Sequence, residues 1–438
     1  MSNDGVRKAE ILDAAAELFA SSGSRTTLKD IADACGILAG SLYYHFESKE
    51  AIITELVRRY QAELDDIANA ALEELQRPDA QPGTERIVAL GEAIAACAVR
   101  HRAALLLTFF EPPAGAGEER TRFAARTPTA IQAAMLETLR AGRASGCIRP
   151  GIDLGLLADR MCQTMLHVGI GVFHRSPGAD RVPAIKCRIL LEGIAARPLQ
   201  DAALDRSAAF LAAESVIATW NEDAGTPEDH RAAVVRATAR AEFGRRGYEA
   251  TTVRDIAAAA GVSVPSVYRI IESKEHLLAS IMHSYAPNVA AGWNAVLRSP
   301  STAVEKLDAL MWFDINVMDR FSEEFKIQLA GLRQSPPDSP NLRWPFPSRL
   351  RQVKTLLAEG TRSGDLHLEG ASADVRARCL YSVIWMPENV VRSAGPRAAL
   401  GLSRETVLRG AGERLPAGEA GSQAAIARPT AVPSCMKR

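Results

Sequence analysis

Residues 26–50, TTLKDIADACGILAGSLYYHFESKE, return as residues 251–275, TTVRDIAAAAGVSVPSVYRIIESKE, with a constant offset of 225 and identity at 13 of 25 positions. The preceding stretches also align through Phe19/Phe243 and Gly23/Gly247 once a one-residue gap is opened in the first copy. A period this long marks a duplicated domain rather than a solenoid of small repeats. A chain of 438 residues is too long for one hydrophobic core, so two similar halves are expected.

The repeated stretch carries its own boundaries. Thr27 followed by Asp30 makes a capping box, in which the hydroxyl accepts from the third helical amide and the carboxylate accepts from the cap amide; Thr252 and Asp255 repeat it. The short helix ends at Gly36, and its copy at Gly261, where glycine adopts a left-handed conformation without steric cost. In the next helix Leu42 and Phe46, four apart, face Ile31, while Ala39, Gly40, Ser41, Tyr43, Tyr44 and His45 lie elsewhere around it. That is the arrangement a helix-turn-helix needs: small residues let the backbone approach base edges in the major groove, and donors beyond them hold phosphates. Ser48 caps a further helix, placing Lys49 where free amides and the helix dipole already favour an anion.

Elsewhere Ala, Leu, Glu, Arg and Gln recur at helical spacing, which predicts an all-α protein. Breaks fall at 111–117, 175–180, 221–229 and 335–347, with an Ala/Gly/Pro-rich tail from about Ala411. Thr226 and Pro227 read as a helix start, so the second copy begins near residue 227. Asp201–Trp220 reads as one amphipathic connector helix packed on a domain. Lysine plus arginine equals aspartate plus glutamate, 52 against 52, so any nucleic-acid contact has to be local. Seven scattered cysteines without a C-x-x-C pair argue against a disulfide framework or a zinc site. The start lacks a secretory apolar core and no run is long enough to span a bilayer, so a cytoplasmic chain with no membrane partner is expected.

The spacing from LFxxxG (18–23) through TTLKDIADACG to YYHFESKE resembles the DNA-binding domain of the tetracycline-repressor (TetR) family, over residues 5–60 and 228–285. The resemblance implies two fused halves, each a helix-turn-helix domain followed by a helical ligand-binding and dimerising domain. The expected boundaries are 1–60 and 61–200 for the first half, 201–226 for the connector, 227–285 and 286–415 for the second half, and 416–438 for a tail. It also implies that Ala39, Gly40 and Ser41 face bases, that Tyr43, Tyr44, His45 and Lys49 meet the backbone, and that Thr27 meets a phosphate. The matching positions of the second copy are Val264, Pro265, Ser266, Tyr268, Arg269 and Lys274, with Thr252. Proline in place of Gly40 suits a first helical turn. Ser263 is a proper cap where Leu38 is not, which costs the first copy about 1 kcal/mol. Ile271 for Phe46 keeps a core contact, whereas Ile270 for His45 removes a phosphate donor and leaves Arg269 to supply charge.

By the same resemblance the chain is a DNA-binding transcriptional regulator, a repressor released by a small hydrophobic effector. Family members pair two heads as homodimers; here one chain holds both, which implies a single-chain pseudo-dimer reading unlike half-sites of double-stranded operator DNA. The interface helices are expected at 154–175 with 182–196, and at 373–392 with 403–415. Phe109, Met165, His167, Trp312, Phe313 and Trp385 are the candidates for lining an effector cavity. His167 and His174 lie seven apart without a third ligand at useful spacing, and no metal or cofactor is expected. GAGEER (115–120) follows no strand, and neither H-E-x-x-H nor G-x-S-x-G occurs, so an enzyme is not expected. The alternative is a ligand-sensing interaction protein in which one or both helix-turn-helix units are vestigial.

Overall fold

The computed structural model describes residues 3–23, 26–77, 83–108, 128–170, 178–197, 199–220, 230–248, 250–333 and 346–413. Thr226, Pro227, Phe109, His174 and GAGEER lie outside these residues. All regular elements among the described residues are helical. The first half runs α1 (Asn3–Ser22), α2 (Leu28–Ala34), α3 (Ala39–His45), α4 (Lys49–Leu75), α5 (Gly83–Arg100), α6 (Arg102–Thr108), α7 (Thr129–Ala144), α8 (Leu154–Ile170) and α9 (Val182–Glu192). The connector holds α10 (Asp201–Leu204) and α11 (Ala208–Thr219). The second half runs α12 (His230–Arg246), α13 (Val253–Ala259), α14 (Val264–Ile270), α15 (Lys274–Arg298), α16 (Ala303–Arg320), α17 (Ser322–Arg333), α18 (Phe346–Ser363), α19 (Ala373–Ile384), α20 (Glu388–Ala394) and α21 (Pro396–Ser403), ending in a π turn at Arg404–Leu408.

Three boundaries differ from expectation, each for a local reason. The connector is two helices, because the hydroxyl of Ser207 accepts from the amide of Phe210 and starts α11 afresh after a turn at Asp205–Ser207. The segment 373–392 is broken at Trp385–Pro387, since proline offers no amide to continue α19. The last helix begins at Pro396, not residue 403, and stops before Gly410, whose φ of 81° is left-handed.

α5 packs along α8, and α4 along α7, burying Ile87, Leu90, Ile94, Leu157, Met161 and Met165 in the first ligand-like domain. The halves meet through α8, α9, α19 and the α20–α21 segment. Their backbones pair reciprocally. The segment before α8 bonds to the end of the second half (Arg149 N to Ala411 O 3.0 Å, Glu413 N to Cys147 O 3.0 Å). The segment before α19 bonds to the end of the first half (His367 N to Ile194 O 2.8 Å, Ala196 N to Asp365 O 2.9 Å). Exchange of the same contact in both directions is the mark of a two-fold interface. A Cβ on Gly193 would stand 2.4 Å from Gly410 N, so only glycine permits the backbones to meet there.

Fully buried Arg160 crosses this seam, donating to Val383 O at 3.0 Å and to Thr406 Oγ1 at 2.7 Å; burial lowers its pKa to about 9. Arg404 clasps Asp308 with both arms at 2.8 Å and reaches Asp205 in the connector at 2.7 Å. Burial opposes that guanidinium's charge, but the two carboxylates outweigh it and hold its pKa above the ordinary value.

Candidate nucleic-acid interface

In the first unit Thr27 Oγ1 accepts from Asp30 N at 3.1 Å while Asp30 Oδ2 accepts from Thr27 N at 2.8 Å, closing the capping box. These bonds hold the Asp30 carboxyl below its usual pKa. Thr252 and Asp255 reproduce the box, at 3.2 and 2.7 Å. The following turns pass through Gly36 and Gly261 with φ of 63° and 65°. Leu42 and Phe46, and in the copy Val267 and Ile271, are buried, so each short second helix is anchored along one edge.

The opposite edge is open. Ala39, Gly40 and Ser41 are exposed, Tyr43 and Tyr44 are 55% and 83% exposed, and His45 and Lys49 are half-buried. The exposed Tyr44 ring meets His45 edge-on at 5.3 Å. In the second unit Pro265, Tyr268 (56%) and Arg269 are exposed, and Val264, Ser266 and Lys274 are half-buried. Thr27 and Thr252 stand exposed at the starts of α2 and α13. In each unit the expected contact residues are thus exposed or half-buried around the second helix, away from its buried edge. Ser48 and Ser273 cap α4 and α15 at 3.1 and 3.0 Å, so Lys49 and Lys274 open those helices as expected. Leu38 makes no side-chain cap, and Ser263 does.

Two donors of the second face have contacts within their own unit. Lys274 Nζ sits 4.1 Å from the Tyr248 ring centre, and Arg269 donates to Ser266 Oγ at 2.8 Å. His276, paired with Glu272 at 2.9 Å, adds an imidazole ring beside the second face where the first has Ala51. Sequence reading missed Tyr248 because it lies at the single-residue offset between the copies.

The candidate effector residues fall in separate places. Met165 is buried with its sulfur 3.8 Å from Cys187 Sγ, and His167 is half-buried on α8. Trp312 stacks on Phe210 of the connector at 5.7 Å and its indole N–H bonds to Glu214. Phe313 meets Trp220 edge-on at 5.4 Å, and Trp385 lies 4.9 Å from Phe325. In the first half a cavity of about 190 Å³ opens between α4, α6, α7 and α8, lined by Tyr60, Gln61, Leu64, Leu105, Thr108 and Leu166. Sequence reading also missed a cluster in which Glu63 of α4 faces Cys97 and His101 at the end of α5. The spacing of Cys97 and His101, four apart on a helix, was its one visible signal.

Two helix-turn-helix units with open outer faces, each followed by a helical bundle, define a DNA-binding regulator of transcription. Residues 11–56 and 235–281 each match the sequence profile described as "Bacterial regulatory proteins, tetR family". The HTH-type transcriptional repressor KstR2 of Rhodococcus jostii is 34% identical over 195 residues, covering 43% of this chain and 91% of that protein. The KstR2 repressor of Mycobacterium tuberculosis is 49% identical over 79 residues, 16% of this chain and 39% of that one. Among solved structures, the ketosteroid transcriptional regulator KstR2 of Mycobacterium tuberculosis is similar at 28% identity with a TM-score of 0.36, covering 42% of this chain and 91% of that one. The chain belongs to the tetR family of bacterial regulatory proteins, which are not enzymes, and carries its DNA-binding unit twice. Among the described residues no helix is long and apolar enough to cross a membrane.

Proposed function

We propose that one chain is a complete transcriptional repressor: a pseudo-dimer whose α3 and α14 enter neighbouring major grooves of one operator with unlike half-sites, and which a small hydrophobic effector releases. The observation that supports this most directly is the reciprocal pairing of the halves, 147–149 with 411–413 and 194–196 with 365–367. A homodimer of single-unit chains would use the same self-complementary contact. The sign of regulation follows the Rhodococcus relative, a repressor. Tyr43, Tyr44, His45 and Lys49 are the stronger set of phosphate contacts, because Ile270 stands in the second unit where His45 supplies a donor in the first.

The effector's site is the first-half cavity at Tyr60, Leu105 and Leu166, beside α4, the helix that follows the recognition helix. Its walls combine apolar Tyr60, Leu64, Leu105 and Leu166 with the polar side chains of Gln61, Asp65, Thr108, Thr129 and Gln163, which can orient a bound molecule. The equivalent positions in the second half carry the bulkier Phe325 and Trp385. A footprint on operator DNA selected from random sequence tests the reading. Protection of two dissimilar half-sites about one helical turn apart is the expected result, and protection of a single half-site contradicts it.

A further inference from the structure

We propose that Glu63, Cys97 and His101 form a site for a zinc-like divalent ion that clamps α4 to the end of α5. The carboxylate, thiol and imidazole ligand atoms all lie within 4.8 Å of one another. His101 Nε2 already faces Glu63 Oε2 at 2.8 Å, and Arg100 holds the other carboxylate oxygen, leaving Oε2 turned toward the ring. Zinc bonds of about 2.0–2.3 Å set tetrahedral ligands roughly 3.5 Å apart, so the His–Glu pair has to spread slightly and the thiol to close.

The donor set has the chemistry of a borderline metal rather than of magnesium or calcium, which prefer oxygen alone. Three protein ligands leave a fourth position for water. Glu63 and His101 are part-exposed and give the ion a path inward, while Cys97 forms the buried floor. Burial and the neighbouring Glu63 push the Cys97 thiol up to about 12, so the metal-free site holds a neutral thiol, and the ion takes the thiolate with release of one proton to solvent. The duplicate positions in the second half are Asn288, Val317 and Phe321, which offer no such set, so the site belongs to the first half alone. Glu63 lies 14 residues along α4 from Lys49, about 21 Å of helix. An ion there fixes the helix that carries Lys49 against the ligand-like domain.

Cobalt(II) titration of the reduced full-length chain tests this. One equivalent is expected to bind with a sulfur-to-metal charge-transfer band, and zinc to displace it. Cys97→Ser removes the band and His101→Ala weakens binding at least tenfold, with helical circular dichroism confirming that both fold. Cys147→Ser keeps the band, although the Ser145 hydroxyl lowers that thiol's pKa and makes it the main competitor. Zinc also slows hydrogen exchange around residues 63 and 97–101. Absence of stoichiometric binding, a band that survives Cys97→Ser, or unchanged exchange on zinc addition overturns the proposal.

Discussion

α5 and α16 are duplicates of equal length, yet one presents a face to solvent that the other hides. On α5 Val88 and Ala93 are half-buried and Ala89 and Glu92 exposed; at the same places on α16, Asp308, Ala309, Trp312 and Phe313 are all buried. Between α4 and α5 this leaves a groove of about 460 Å³, lined by Ala70, Ala71, Ala89 and Ala93 among others. In the second half the connector fills the equivalent groove: α11 lies on α15 and α16, Phe210 covers Trp312, and Trp220 seats against Phe313 and Phe321. Duplication produced two similar folds, and the connector then made one of them its own binding partner. The ligand-like domain of the second half is accordingly the more fixed, while the first keeps a cavity and, at its head, His45 where the second has Ile270.

The contrast between the halves carries over to the effects of substitution. The largest effect is at Phe313, where truncation to alanine removes a fully buried ring under the connector and lowers unfolding free energy by about 3–5 kcal/mol. The converse change Ala93→Phe, on the open face, shifts stability by less than about 0.5 kcal/mol. Denaturant midpoints of the two variants measure the asymmetry, and equal effects would remove it.

Next is the first reading head. Tyr43→Ala with Lys49→Ala weakens operator binding roughly 100-fold, at about 1–1.5 kcal/mol for each lost contact, with helicity unchanged in circular dichroism. Arg269→Ala in the second head gives a smaller loss, about fivefold, and reduces the salt slope by about one. Gel retardation across a salt series reads both, and a larger effect at Arg269 would reverse the ranking of the heads.

A pH effect belongs to the second half. Asp314 is buried, accepts from Trp293 Nε1 at 2.9 Å, and is pushed by burial from 3.8 up to about 8. The folded state therefore binds this proton where the unfolded state does not, so its contribution to stability falls as pH rises from about 4 to about 8 and levels above that. Asp314→Asn flattens that slope in urea midpoints measured between pH 5 and 8. The first half has Ile94 at this position and shows no such term.

Local chemistry made the reading heads legible in the sequence. Capping boxes, glycine turns and buried pairs four apart depend on neighbours within a few residues, and Thr27, Gly36, Leu42 and Ser48 stand where those rules put them. What the sequence did not disclose depends on long-range contact. Trp312 and Phe313 read equally well as cavity lining or core, and only the placement of α11 decides which groups they touch. The Glu63 cluster joins two helices, so spacing along the chain showed two of its three members. Arg160, with acceptors in the other half, looks like an ordinary helical arginine until Thr406 is beside it.

The most direct test is the native mass of the protein bound to its selected operator. A complex of one 47.1 kDa chain per duplex, with both half-sites occupied, is predicted. Two chains per duplex, each engaging DNA through one head, would contradict the account.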